Sequence, residues 1–465
     1  MKQVGVTNWF VWLSVLSFLL ATPLAPSRAA RKPNILVIVG DDMGYADVGF
    51  HGCTDIPTPH LDALARSGVR FTNGYVSGPY CSPTRAGLMT GRYQQRFGHE
   101  INPTMQESRE LGAGLPLTET TMADRFKAAG YRTAMFGKWH LGANDNQHPL
   151  SRGFEQFYGF LDGQHSYLES RENLNSPVLD GRTPVSKMNY LTDEIADRAE
   201  AFIQKHGQKQ GQQPFLLYLP FNAVHTPMQA TEKYLQRFSN ITDPRRRTYA
   251  AMMSAMDDAI GRVVAALRAA KLEEDTLIFF FSDNGGPTMP TTTVNGSRNT
   301  PLRGSKRQTY EGGIRVPFVI SWKGHVPAGK VYEHPVIQLD VLPTALAAAG
   351  VAAKPATKFD GVNLLPYLTG KQKGAPHDAL YWRLGNMMAI RRGAWKLVKT
   401  REGSLDTNVN ALSDLSDAAL YNLTEDIGEQ RDLAAKHPDK VKELSTAWRQ
   451  WNQQLAQPLW GMRKP

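Results

Sequence analysis

The sequence predicts an α/β fold: a central, mostly parallel sheet flanked by helices, followed by a small C-terminal antiparallel sheet with one helix. Three observations predict it. Apolar runs of strand length alternate with segments of helical period through the first three quarters of the chain. The run Ile35 to Val39 is apolar at every position, as expected of a strand buried on both faces. Beyond about Ala352 to Thr357, where Pro and Gly become frequent, short strand-like runs follow one another without a helical segment between them.

The elements follow in order. Ile35 to Val39 ends in Gly40-Asp41-Asp42, so the first strand delivers polar groups at its carboxyl end. A helix from about Thr121 to Ala129 stops at Gly130 and leads to a strand over Arg132 to Phe136. Thr192 is placed to cap a helix whose Ile195, Ala199, Phe202 and Ile203 share one face, and Phe215 to Leu219 follows as a strand. Met252, Met253, Met256, Ile260, Val263 and Leu267 mark a long amphipathic helix, with the methionines as core, before a strand over Thr276 to Phe281 that ends at Ser282-Asp283-Asn284. A strand near Val316 to Ile320 and a helix beginning around Asp340 close the larger part. Strands over Ala379 to Arg383, Met388 to Arg391, Trp395 to Lys399 and Ala419 to Tyr421, then a helix from Pro438 to about Leu455, make up the smaller one.

At 465 residues the chain exceeds one typical core, and the composition shift divides it into 31–355 and 356–465. Lys2 precedes an apolar stretch from Trp9 to Ala21, and Ser27-Arg28-Ala29-Ala30 offers small residues for cleavage, so residues 1–30 read as a secretory signal peptide. This implies an exported protein, periplasmic, cell-surface or secreted; an uncleaved anchor is the alternative. No later segment is long and apolar enough to span a bilayer, so no stable membrane insertion is expected.

The net charge of +10 suits a protein that meets polyanions. Nucleic acid is not the expected partner, because no recognition helix, zinc finger or RNA-binding signature accompanies clusters such as Arg245-Arg246-Arg247, which read as a solvated basic face. Two cysteines, Cys53 and Cys81, could form at most one disulfide, which does little for a chain this long; Cys53 reads as a buried thiol.

Ligands of open α/β sheets gather at the carboxyl ends of strands, and Asp41, Asp42, Asp283 and Asn284 all fall at such ends. They are hard oxygen donors of the kind that bind Ca²⁺ or Mg²⁺. Taken alone, Asp-Asp after a strand is more often a turn or helix cap than a metal site, and Asp-Asn-Gly is a common turn sequence.

The run Cys81-Ser82-Pro83-Thr84-Arg85, with its tail Thr90-Gly91-Arg92, resembles the signature of the type I, formylglycine-dependent sulfatases. Further blocks match in order: Pro33-Asn34-Ile35-Leu36, Gly44-Tyr45-Ala46-Asp47, Gly137-Lys138-Trp139-His140-Leu141-Gly142, Phe221 to Pro227, and Leu302 to Lys306 leading to Tyr310-Glu311-Gly312-Gly313. The likeness runs from about Asn34 to Gly350 and, through Gly91 to Gly98, is similar to the arylsulfatase and N-acetylgalactosamine-sulfatase branch.

The resemblance implies an alkaline-phosphatase-like sandwich that hydrolyses sulfate esters of a sulfated oligosaccharide or polysaccharide, or of an aryl alcohol. It implies that a maturation enzyme oxidises Cys81 to formylglycine, whose hydrate attacks sulfur. Asp41, Asp42, Asp283, Asn284 and position 81 match the family's ligands for calcium, with magnesium as the alternative. Asp283 matches the base that activates the hydrate, Arg85 the residue that steadies it, and Lys138 and Lys306 the cations that hold the sulfate oxygens. His225 matches the acid for the leaving oxygen, and His140 the base that accepts the second hydroxyl proton as sulfate departs.

Two other readings are weighed against this one: a phosphonate or phosphodiester hydrolase of the same superfamily, and a non-catalytic glycan-binding homologue. None of the matching positions is replaced, which favours an enzyme. Specificity is expected from loops at the mouth, at Asn144 to His148, at Gly163-Gln164-His165-Ser166-Tyr167, and at Arg298, with His148, His165 and Arg298 as candidate substrate contacts.

Overall fold

In the computed structural model, which describes residues 1–7, 31–171, 176–208, 213–352, 358–400 and 408–461, ten strands form one sheet. Their order is Lys330–Tyr332, Val69–Phe71, Phe318–Ser321, Thr276–Ser282, Asn34–Gly40, Phe215–Pro220, Arg132–Lys138, Gln156–Phe160, Leu179–Asp180 and Thr183–Pro184. The five strands from Thr276–Ser282 to Gln156–Phe160 run parallel, as expected. Phe318–Ser321 begins two residues after the expected Val316 and pairs antiparallel with Thr276–Ser282. The cause is the connection: Ser282 to Phe318 contains only the short α-helix Glu311–Ile314, without the long crossover helix that would carry the chain back to the opposite end of the sheet.

Side chains of a strand alternate between faces, and here both faces are apolar. Leu36 and Ile38 of the central strand join Leu217, Leu219, Ile278 and Phe280 in one core, beneath helices Pro59–Ser67, Leu191–Gln208 and Pro244–Ala269. Ile35, Val37 and Val39 join Leu216, Tyr218, Leu277 and Phe279 in the other, beneath Cys81–Thr90, Met122–Ala128 and Val341–Ala348. Burying each such side chain contributes about 1.5–3 kcal/mol. Met252, Met253 and Met256 lie in the first core, as their helical spacing predicts.

Local signals hold unevenly. Thr121 caps Met122–Ala128 through a reciprocal box with Asp124. Thr192 does not cap its helix: it is the second residue of Leu191–Gln208, with a buried hydroxyl that has no partner. Leu191 N–H instead donates to the Tyr167 carbonyl at 2.8 Å, so a neighbouring loop satisfies the helix start. The basic run is also not a uniform solvated face, because Arg246 is buried and paired with Asp47 and Asp55, each at 2.7 Å. Both cysteines are free. Cys53 is only half-buried, and its thiol donates to Asp55 Oδ1 at 3.3 Å.

Strands Leu380–Leu384, Met387–Arg392, Trp395–Lys399 and Ala419–Asn422 pair antiparallel in chain order. The helix Pro438–Asn452, three residues shorter than expected, buries Leu444, Trp448 and Trp451 against them. Trp382 donates from Nε1 to the Val76 carbonyl at 2.6 Å, and Arg383 pairs with the buried Glu100 at 2.7 Å. This sheet therefore grips the chain on both sides of helix Cys81–Thr90.

Residues Lys32–Pro465 form one compact unit. The expected signal-peptide core at Trp9 to Ala21, the small residues Ser27 to Ala30 and residues 353–357 of the composition shift lie outside the described residues. Among the described residues no helix is long and apolar enough to cross a membrane.

Buried Asp340 ties three segments together, accepting from Ile337 N–H at 2.9 Å, Val362 N–H at 2.8 Å and His377 Nε2 at 2.8 Å. Burial lowers the His377 pKa, but the Asp340 charge outweighs it and leaves the imidazole above its ordinary value. A histidine raised in the folded state stabilises fully below its unfolded pKa of about 6.5, and that stability is lost as pH rises through the folded value. His377→Ala should therefore cost more at pH 6 than at pH 9 in urea unfolding. An equal cost at both would mean that charge plays no part in this clamp.

Candidate active site

The parallel strands deliver their polar residues to one end of the sheet. Asp41 and Asp42 follow Asn34–Gly40, Asp283 and Asn284 follow Thr276–Ser282, and Lys138 closes Arg132–Lys138 with His140 two residues beyond. His225 lies just after Phe215–Pro220, and Lys306 comes from the loop before Glu311–Ile314. Asp42 and His140 adopt left-handed backbone, with φ of 63° and 56°, an arrangement rare outside glycine that marks sharply turned strand exits.

Cys81 opens helix Cys81–Thr90, all of whose residues are buried. The positive end of that helix therefore points at position 81, a favourable place for developing negative charge. The Cys81 Sγ lies 3.8 Å from Asp41 Oδ1. Burial pushes the thiol up to about 12, so at neutral pH it is a protonated thiol rather than a thiolate.

Ion pairs neutralise the cluster. Lys138 Nζ sits 2.6 Å from Asp41 Oδ2, and Lys306 Nζ sits 2.8 Å from both oxygens of Asp42. Arg85 donates to Asp283 Oδ2 from Nε at 3.0 Å and from the terminal nitrogen Nη2 at 2.8 Å, while Nη1 reaches the Lys138 carbonyl at 3.1 Å. Burial and the nearby Asp41 charge raise the Asp283 pKa, partly offset by Arg85. For Asp42 burial acts upward, but Lys306 and His225 together bring it below the usual carboxylate value.

The two histidines differ in their surroundings. His225 Nε2 is 3.5 Å from Asp42 Oδ2, and its Nδ1 faces the Thr226 carbonyl at 2.6 Å, so Nδ1 carries hydrogen and Nε2 is the nitrogen turned to the cluster. His140 is buried, with no partner at Nδ1; burial and the cations Lys138 and Arg85 hold its pKa well below the usual value, so the ring is neutral. Its backbone carbonyl accepts from the Ser82 hydroxyl at 2.6 Å, which fastens His140 beside position 81.

These residues fit a hard divalent cation. Asp41, Asp42, Cys81 and His225 each bring a ligand atom, all within 4.8 Å of one another and all buried. Asn284 adds a buried Oδ1 that has no hydrogen-bond partner, while its Nδ2 donates to Asp42 Oδ1 at 2.7 Å. Carboxylate and amide oxygens with one unmet acceptor are the donor set of calcium or magnesium rather than of a soft metal.

A cleft of about 590 Å³ opens over this cluster, with His140, His225 and Lys306 in its wall. Tyr80, Asn102 to Met105, Asp162 to Gln164, Pro290 to Thr293 and Arg307 complete it. Gly163 and Gln164, from a loop expected at the mouth, do line the cleft. The three expected substrate contacts do not. His148 is buried against Phe157, its Nδ1 accepting from Leu150 N–H at 3.2 Å as a cap. His165 is buried with its ring on Phe160 and Nδ1 against the Ser166 carbonyl. Arg298 pairs with Asp55 at 2.9 Å. Each of these side chains is occupied by a local partner, which loop position in the sequence does not reveal. The reading from sequence missed Tyr80, Asn102, Thr291 and Arg307; Arg307, adjacent to Lys306, was the one with a signal.

Comparison with known proteins gives a consistent picture. The family model described as Sulfatase matches residues 33–351, and that described as N-sulphoglucosamine sulphohydrolase, C-terminal, matches 304–454. The N-acetylgalactosamine-6-sulfatase of Canis lupus familiaris is 33% identical over 407 residues, covering 84% of this chain and 76% of its own length. The uncharacterized sulfatase YdeN of Escherichia coli strain K12 is 31% identical over 507 residues, covering 92% and 87%. The solved structure of Ps i-CgsB in complex with k-i-k-neocarrahexaose superposes with a TM-score of 0.84 at 34% identity, covering 93% of this chain and 96% of that one.

Gly163 packs on His140 so closely that an added Cβ would lie 2.8 Å from ring atoms Cε1 and Nε2. Gly163→Ala should displace that ring and slow catalytic turnover by on the order of 10–100-fold with little change in melting temperature. Unaltered turnover would show that the position of His140 is immaterial.

Proposed function

The chain belongs to the sulfatase family and is a sulfuric ester hydrolase; from this we propose that it releases inorganic sulfate from a sulfated carbohydrate, with position 81, converted to formylglycine, as nucleophile. The observation that carries the reading is the convergence of Cys81, Asp41, Asp42, Asp283, Asn284, Lys138, Lys306, His140 and His225, from segments far apart in sequence, beneath one cleft. The conversion requires a maturation enzyme as partner, and the expected export of the chain belongs to the same proposal.

A sulfate monoester presents negative oxygens that repel a nucleophile, so its site needs positive charge and an acid for the leaving oxygen. A calcium or magnesium ion held by Asp41, Asp42, Asp283, Asn284 and position 81 would supply Lewis-acid charge at the sulfate. The formylglycine hydrate would supply two hydroxyls on one carbon, one to attack sulfur and one to lose its proton as sulfate leaves. Lys138 and Lys306, held by Asp41 and Asp42, are placed to bind sulfate oxygens. Asp283, kept in place by Arg85, accepts the proton of the attacking hydroxyl. The imidazolium form of His225, which burial opposes and the Asp42 carboxylate favours, delivers a proton from Nε2 to the leaving sugar oxygen. The neutral ring of His140, tied to Ser82, receives the proton of the second hydroxyl.

The named relatives support a galactose-type substrate, since one is called an N-acetylgalactosamine-6-sulfatase and one structure holds a neocarrahexaose. We accordingly place a sulfated galactose or N-acetylgalactosamine unit in the cleft, whose volume is of the size that holds small ligands.

The test is mass spectrometry of the tryptic peptide ending at Arg85, from a host that carries the maturation enzyme, alongside ion chromatography of sulfate released from sulfated galactan fragments. An aldehyde at position 81 with sulfate release is expected; unconverted cysteine in active protein would overturn the nucleophile. Cys81→Ala should lose at least about 10⁴-fold in turnover while unfolding at nearly the same temperature. His225→Ala should slow sugar sulfates far more than activated aryl sulfates, whose leaving groups scarcely need a proton. Equal losses on both would remove His225 as the acid.

A further inference from the structure

Arg307 stands apart from the other cations of the site. Lys138, Lys306 and Arg85 are each bound to a carboxylate. Among the described residues no carboxylate lies within ion-pair distance of Arg307, although its side chain lines the cleft. The guanidinium is nonetheless fixed: Nη1 donates to the Thr291 carbonyl at 3.0 Å, and Cζ lies 5.8 Å from the centre of the Tyr80 ring. Its backbone is turned to left-handed φ of 71°, with N–H bound to the Pro79 carbonyl at 2.7 Å. An arginine held in an uncommon conformation, with donors unused, is arranged to receive a ligand acceptor.

The cleft is also polarised. Apart from the residues of the catalytic cluster, its charged side chains are Arg307, beside Tyr80 and Thr291, and Asp162, on the loop whose Gly163 covers His140. An acidic group on a bound saccharide is drawn to the Arg307 side. Lys306, the residue before Arg307, faces the same Tyr80 ring at 5.7 Å, so the site for the reacting sulfate and the Arg307 guanidinium are neighbours along one wall.

We propose that Arg307 is a specificity-determining residue that binds a second oxyanion, a sulfate or a carboxylate on the saccharide beside the sulfate to be removed, so that the substrate is a polyanionic oligosaccharide rather than an isolated monosulfate. This rests on the sulfatase reading and deepens it. The planar fork suits two oxygens of one acidic group, whereas lysine would offer a point charge only.

Binding to the Cys81→Ala protein, measured by calorimetry, tests the proposal without turnover. The ligands are galactose-containing disaccharides carrying one sulfate, two sulfates, or one sulfate and one carboxylate. The dianionic ligands should bind at least tenfold more tightly than the monosulfate. Arg307→Ala in that background should erase the advantage, Arg307→Lys should restore part of it, and Arg307→Asn, which tolerates left-handed backbone, should match the alanine variant if folding is intact. A gain confined to the disulfate identifies sulfate as the second group; an equal gain with the carboxylate identifies any oxyanion. No gain from a second anion, or an equal loss on all three ligands, overturns the proposal. Sulfate release by the unaltered protein is read separately, so failure of the sulfatase reading and failure of the Arg307 assignment are distinguishable.

Discussion

Three carboxylates, Asp41, Asp42 and Asp283, and three cations, Arg85, Lys138 and Lys306, share a buried pocket at the carboxyl ends of neighbouring strands, and the pocket exists only because their charges balance. An isolated charge in such surroundings costs several kcal/mol, whereas a paired and hydrogen-bonded one is tolerated. The pairing also fixes geometry. Each lysine is aimed by a carboxylate that follows the central strand, and Arg85, one helical turn beyond Cys81, locks helix Cys81–Thr90 to Asp283.

The remaining architecture supports that balance. Parallel strands with both faces apolar bring distant segments to a common edge, and the two cores hold those ends in register. The C-terminal sheet acts from behind: Trp382 holds Val76, Arg383 holds Glu100, and Lys396 pairs with Glu311 at 2.9 Å and Glu429 at 2.8 Å in a buried cluster that anchors the segment following Lys306. The smaller sheet thus bears on the site without lining the cleft among the described residues.

Above this rigid floor the cleft wall is built from loops, where a polar side chain either finds a local partner or stays available to a ligand. His148, His165 and Arg298 found partners, and Arg307 kept unused donors. The buried cluster is therefore fixed by ion pairs at strand ends, and the cleft wall above it by which loop side chains find local partners.

Much of this was legible beforehand. Apolar runs and helical periods located the strands and most helices, because burial on both faces leaves a strong local signature, and the ordered sulfatase blocks named the residues that meet beneath the cleft. The reversed direction of Phe318–Ser321 was not legible, since strand composition carries no direction. Nor was the start of Leu191–Gln208, where the Tyr167 carbonyl replaces a cap and leaves Thr192 inside the helix. By itself the sequence determined the α/β class, the family and the chemical types of the site residues, because periodicity and motif are local properties of the chain. Only the tertiary structure decided which cations are neutralised and which loop residues face the cleft, because charge pairing and exposure depend on partners far away in the chain, 264 positions for Lys306 and Asp42.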